Sequence, residues 1–149
     1  MQLLMQLVSL PGERVPFLIG MALLVIWLWL KNNKKFAGLF LISNLTTIFI
    51  VQFLKRLIAE PRPTGALEIG FGFPSQHTAS YVLFFGLLIL WTKNKLLKIL
   101  GIFMILTIGI SRVYLGEHWT VDVIGGYVIG FTVLWLSWWS WSRFYLQKS

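Results

Sequence analysis

Two histidines, His77 and His118, are the only imidazoles in this chain of 149 residues, and each has neighbours that could put it to chemical use. His118 stands four positions before Asp122, the separation that stacks two side chains on one face of a helix. An aspartate there accepts from one ring nitrogen, fixes the tautomer and leaves the other nitrogen to attack an electrophile. His77 is then available to give a proton to the departing group. The cations point to the electrophile. Lys55 and Arg62 belong to a stretch stiffened by Pro61 and Pro63, and Arg112 lies shortly before His118. Arginine forks match phosphate oxygens two at a time, and lysine adds a compact point charge. Ser75 follows Pro74 and precedes an apolar run, the place of a helix N-cap. A helix starting there aims free N–H groups and its positive dipole end at a bound anion.

Taken singly, each cation could equally snorkel to lipid headgroups, and each histidine could be an ordinary hydrogen-bonding residue. The grouping is what points to chemistry. The two histidines and Asp122 could also form a three-ligand zinc site. Three cations alongside disfavour a divalent metal and suit a multiply charged phosphate, so neither metal nor cofactor is expected. Glu60 and Glu117 serve either as extra acid/base groups or as counter-charges.

The elements that must position these residues are apolar. The composition is 57% hydrophobic and 12% charged, against about 45–50% and 25% in soluble domains. Crossing a hydrocarbon core of about 30 Å takes roughly 20 helical residues. Five segments qualify, at about 15–31, 36–57, 76–92, 95–112 and 119–142. They are too continuously apolar for barrel strands, and a helix satisfies its own backbone in lipid. The expected fold is therefore an all-α, polytopic transmembrane helix bundle, one domain over residues 1–149. Trp135, Trp138, Trp139 and Trp141 suit an aromatic belt at one interface. Asn44, Thr46 and Thr47, within the second segment, are expected to bond between helices. The start, MQLLMQLVSLPGERVP, lacks the basic region of a cleaved signal peptide, and its ten apolar-leaning residues are too few to span. They are expected along the interface or as a short re-entrant piece.

Five crossings put alternate connections on opposite sides. One side collects Lys31, Lys34, Lys35, Lys93, Lys95, Lys98, Arg143 and Lys148, with no acid. The other holds Arg14, Lys55, Arg56, Arg62 and Arg112 with all five acids: Glu13, Glu60, Glu68, Glu117 and Asp122. Short Lys/Arg-rich loops stay in the cytoplasm. Both histidines therefore face outward, and the C-terminus is cytoplasmic. The net charge of +8 forms no basic stripe interleaved with aromatics, so it does not read as a nucleic-acid surface. Without cysteine there is neither a disulfide framework nor a thiolate metal site.

Three blocks in order, Lys55 through Arg62-Pro63, Pro74-Ser75-Gln76-His77, and Ser111-Arg112 through His118 to Asp122, resemble the type 2 phosphatidic acid phosphatase superfamily. Its signatures are K-x6-RP, PSGH and SR-x5-H-x3-D. The resemblance implies that His118 attacks phosphorus and carries a phosphohistidine, that Asp122 orients it, and that His77 protonates the leaving group. It implies that Lys55, Arg62, Ser75 and Arg112 hold the phosphate, and that no metal takes part. Gln76 stands where the family has glycine, keeping a backbone N–H for the phosphate but adding bulk that narrows the pocket or touches substrate. The family's usual membrane core has six spans, and five are counted here. Its soluble haloperoxidase branch does not fit a chain this apolar.

The expected function is a metal-independent lipid phosphatase of a bacterial inner or plasma membrane, acting at the outer face. Polyprenyl diphosphate, phosphatidylglycerol phosphate, phosphatidate and a lipid A phosphate all suit such a site, and membrane lipids are the surrounding partner. Two rivals share these residues: a phosphotransferase that passes the phosphoryl group to another lipid, and a non-catalytic protein that binds anionic lipid.

Overall fold

The computed structural model describes residues 1–145, so Lys148, counted above among the cytoplasmic cations, lies outside the described residues. Among the described residues the secondary structure is entirely helical. Helix α1 (Gln2–Ser9) passes through a 3-10 turn at Leu10–Gly12 into α2 (Arg14–Leu30). Then come α3 (Lys34–Ile58), α4 (Gln76–Trp91), α5 (Lys95–Tyr114) and α6 (Thr120–Tyr145). Each of the five apolar segments is thus a helix, close to its expected bounds.

Local chemistry sets the ends. Ala59 closes α3 in the left-handed conformation, its N–H returning to the Lys55 carbonyl. Pro61 and Pro63 then prevent the helix from resuming. Ser75 caps α4 by accepting from the Thr78 N–H. Asn94 caps α5, its Oδ1 accepting from the N–H groups of Leu96 at 2.9 Å and Leu97 at 3.2 Å. Such caps satisfy N–H groups that have no partner inside the helix.

Helix α4 is the centre of the bundle, packed by α3, α5 and α6. Nine of its 16 residues are buried, and they lie all round it rather than on one face. Small residues on α6 let that helix come close. A Cβ at Gly126 would stand 2.6 Å from the Ser75 carbonyl oxygen, and one at Gly130 would stand 2.9 Å from that of Ala79. Close approach through glycines is how helices pack where the surroundings are as apolar as the side chains. Phe17, Leu28, Phe36, Phe40, Leu83 and Val133 fill the core.

Helices α3 and α5 and residues 120–143 of α6 are long and apolar enough to cross a bilayer. The α1–turn–α2 unit passes that test only as a pair, bent by 53°. With 16 residues α4 is shorter, about 24 Å at 1.5 Å per residue. By length and composition three crossings are present, or four with the bent pair. The fifth expected segment is α4, apolar but below the length that passes by itself.

Two expectations change. Asn44 and Thr47 bond within α3, to the carbonyls of Phe40 and Ser43, rather than between helices. The interhelical bond nearby joins Ser137 and Ser43 hydroxyls at 2.8 Å. The tryptophans at the end of α6 are divided: Trp135 and Trp139 are exposed, whereas Trp138 and Trp141 pack on the core. Ring stacking of Phe36 on Trp91 and the edge of Trp141 on Phe36 anchor that end.

Candidate active site

The connections 59–75 and 115–119 and the turn before α2 meet at one end of the bundle, and their polar side chains converge there. His118 Nδ1 lies 3.0 Å from Asp122 Oδ2, an oxygen that also accepts the Trp119 N–H at 2.9 Å. Both side chains are buried. On the other side of the ring, Arg62 Nη1 is 3.3 Å from His118 Nε2. A guanidinium can only donate. Nε2 must therefore carry the lone pair and Nδ1 the proton, which is the tautomer a nucleophile at Nε2 requires.

Burial holds the His118 pKa well below the usual imidazole range, with the charges of Arg62, Lys55 and Arg112 adding to it. The ring therefore stays neutral in the folded protein through mildly acidic pH. The unfolded chain takes up this proton near pH 6.5 and the folded one does not. Stability linked to His118 is accordingly intact above that pH and declines as pH falls below it. Nitrogen chemical shifts of labelled histidine should show a single proton on His118, at Nδ1, from pH 8 down to about pH 5. A doubly protonated ring at pH 6 contradicts the assignment.

The Glu68 carboxylate occupies the point where the cations converge. Its Oε2 lies 2.6 Å from Arg62 Nη2, its Oε1 contacts Arg112 Nη2, and Oε1 is 3.7 Å from His77 Nδ1. A carboxylate gripped by two arginines beside two histidines shows that these cations converge tightly enough to hold an anion. Arg112 is 2% exposed, so the charge it offers is poorly screened. Glu117 is a fastening group. It accepts from the Leu67 and Glu68 N–H groups at 3.1 Å each, and its backbone carbonyl accepts from Arg62. Of the two roles left open for it, the counter-charge is the one its contacts describe, Oε2 lying 3.8 Å from Arg62 Nη1, and holding the loop in place is a third role the sequence did not suggest.

Lys55 Nζ donates to the carbonyls of Phe71 at 2.6 Å and Gly72 at 2.7 Å, pinning the loop on the approach to α4. An ammonium has three donors, which leaves one for an anion. Ser75 is fully buried, its N–H bonded to the Asp122 carbonyl oxygen at 2.9 Å, which ties the start of α4 to α6. Gln76 turns its side chain to Ser80 and Gln52, at 2.9 and 3.3 Å. Its bulk is thus absorbed between α3 and α4, and its first-turn N–H remains what it can offer an anion. His77 is buried beside Glu68.

Three participants went unread in the sequence: Ser9, Glu13 and Glu68 as an arginine-bridging group. Arg112 Nη1 bonds the Ser9 hydroxyl at 2.5 Å and lies 3.6 Å from Glu13 Oε1. The N-terminal helix therefore docks on α5 and closes one wall of the site. No spacing rule marks these residues. Glu13, Glu68 and His77 also bring one ligand atom each within 4.8 Å of one another, the geometry a cation needs. Arg112 already engages both carboxylates and opposes a cation there.

A sequence profile described as the PAP2 superfamily matches residues 36–145. The chain belongs to that superfamily. It is 32% identical over 143 residues to an undecaprenyl-diphosphatase of Sulfolobus acidocaldarius, covering 90% of this chain and 68% of the relative. Identity to phosphatidylglycerophosphatase B of Bacillus subtilis is 35% over 95 residues, 56% of this chain and 47% of that one. The crystal structure of a transmembrane PAP2-type phosphatidylglycerolphosphate phosphatase from Bacillus subtilis superposes with a TM-score of 0.87 at 23% identity. That match covers 96% of this chain and 77% of the other, and it concerns the fold. As a PAP2 protein with several membrane-spanning helices and phosphatase relatives, the chain is a multi-pass membrane phosphatase.

Proposed function

We propose that this PAP2 protein hydrolyses a lipid phosphate or diphosphate through a phosphohistidine at His118, without a metal, as a single lipid-phosphatase domain. The observation that carries the reading is the Glu68 carboxylate bound between Arg62 and Arg112, with the Nδ1-protonated His118 beside them. When a phosphoryl group takes that position, its oxygens draw the Arg62 fork away from Nε2 and free the lone pair. Nε2 bonds to phosphorus as the bond to the leaving oxygen breaks, and His77 gives that oxygen its proton. Asp122 stabilises the positive ring, while Lys55, Arg62, Arg112 and the first-turn N–H groups after Ser75 hold the transferring oxygens. His77, now neutral, takes a proton from water as the water oxygen bonds to phosphorus, and the phosphorus–Nε2 bond breaks to release phosphate and return His118 to its neutral, Nδ1-protonated form.

The tail stays in lipid. A small apolar recess of about 80 Å³ lined by Pro11, Phe17, Gly20, Tyr81, Phe84 and Phe85 lies between α2 and α4, and in this reading only the start of the tail rests there. In this reading α2 and α4 complete five crossings. Helix α4 can be short because its buried start is covered by the 59–75 connection. The Lys-rich loops lie in the cytoplasm of a bacterial inner membrane, and the site faces outward. Relatives that act on undecaprenyl diphosphate and phosphatidylglycerophosphate favour those two lipids over phosphatidate or a lipid A phosphate.

The test is phosphate release by purified protein in detergent from these four lipids, with excess chelator. We expect turnover of at least one, unchanged by the chelator. Loss of activity on chelation removes the metal-free mechanism, and inertness towards every lipid removes the function.

A further inference from the structure

The segment before α2 does more than lie along the membrane. Three contacts press it against the site: the Tyr81 hydroxyl donates to the Val8 carbonyl at 2.7 Å, Arg112 bonds Ser9, and Glu13 Oε1 lies 3.4 Å from His77 Nε2. Between them Gly12 rests on the histidine ring. A Cβ there would come within 2.5 Å of His77 Cδ2 and 2.7 Å of Tyr81 Cε2, so no larger residue fits without moving the ring. His77 is 6% exposed, and its Nε2 is a buried atom that makes no hydrogen bond of ordinary geometry. The other ring nitrogen, Nδ1, faces the Glu68 oxygen that in the phosphatase reading stands in for phosphate. His77 thus has one nitrogen towards the anion site and one towards Glu13.

We propose that Glu13 is the positioning carboxylate of His77, which holds the ring so that Nδ1–H meets the leaving oxygen, as Asp122 holds His118. This rests on the phosphatase reading above. In the first step His77 is doubly protonated. As phosphorus passes from the leaving oxygen to His118 Nε2, the Nδ1 proton moves to that oxygen and the Nε2 proton stays against Glu13. The neutral ring that results has Nδ1 free to accept the proton of the attacking water. Glu13 is suited to this part because it is ionised: its pKa is lowered chiefly by His77, with Arg112 and Arg62 assisting. The N-terminal turn would then complete the acid, not merely shelter it.

A leaving-group comparison separates this from a structural role. Farnesyl phosphate and farnesyl diphosphate share a tail, but the first expels an alkoxide, which needs a proton, and the second a phosphate, which needs it far less. Glu13→Gln should lower kcat on the monophosphate by roughly 10- to 100-fold, leave KM nearly unchanged, and cost only a few-fold on the diphosphate. The side chain is 45% exposed, so thermal stability should hold. Equal losses on both substrates, a change confined to KM, or no change each overturn the inference. A wild-type protein inert on every lipid phosphate fails differently: it overturns the phosphatase reading and Glu13's role together.

Discussion

His118→Ala should abolish turnover, lowering kcat by on the order of 10^5-fold. In the proposed mechanism the ring is the nucleophile, and no described neighbour can replace it. Asp122 is held by the Trp119 N–H, Arg62 is a donor only, and His77 lies on the far side of the Glu68 carboxylate. A water in the space left by the ring would have to attack without covalent catalysis, with only the positioned cations to help. Those cations remain, because Arg62 keeps Glu68 and the Glu117 carbonyl, so lipid phosphate should still bind. The variant therefore separates an enzyme from a protein that merely binds anionic lipid. Two measurements check it: phosphate release, and acid-labile phosphate trapped on the protein by rapid quench. Residual turnover within tenfold of wild type rules His118 out as nucleophile, whatever else the site does.

The parts legible in the sequence are those where chemistry dictates both residue type and spacing. His118 and Asp122 had to be four apart to share a helix face, and the structure puts Asp122 Oδ2 at 3.0 Å from the ring. Arg62 and Arg112 had to be arginines to fork around an anion, and one carboxylate bridges them. The helices were legible because lipid tolerates no other unpaired backbone. What stayed hidden depends on docking between distant segments. Nothing at Ser9 or Glu13 predicts that α1 folds onto α5, because the bend before α2 is decided by contacts with Tyr81 and Arg112 some 70 to 100 positions away. Glu68 was visible as an outward acid, but its place among the arginines follows from Glu117 fastening the loop. The number of crossings was obscured for a related reason. Hydropathy and length measure each segment alone, whereas α4 is wrapped by its neighbours and need not meet the length that a lone helix requires. Gln76 in place of glycine looked like an intrusion on the pocket; Gln52 and Ser80 accommodate it.

The second large effect belongs to Asp122→Asn, and its geometry differs from the usual expectation that an amide reverses the tautomer of its histidine. Here one oxygen, Oδ2, receives both the His118 Nδ1–H and the Trp119 N–H. Asparagine can keep its carbonyl at that position and still accept both. Turning the amide the other way would set NH2 against two donors. The tautomer should therefore survive, with the amide nitrogen at the buried Oδ1 position, where the aspartate oxygen makes no hydrogen bond. What is lost is charge. As Nε2 bonds to phosphorus the ring becomes positive, and a carboxylate about 4 Å from that charge stabilises it by about 4 kcal/mol at an effective dielectric near 20. That corresponds to a fall in kcat on the order of 10^3-fold, with KM little changed. Nitrogen shifts of the variant should still place the resting proton on Nδ1. A ring protonated at Nε2 instead would show that the amide had turned and that orientation, not charge, is what Asp122 supplies. A loss under tenfold with the proton unmoved would show that the phosphorylated ring needs no counter-charge, because Arg62 and Lys55 had already been drawn off by the phosphate.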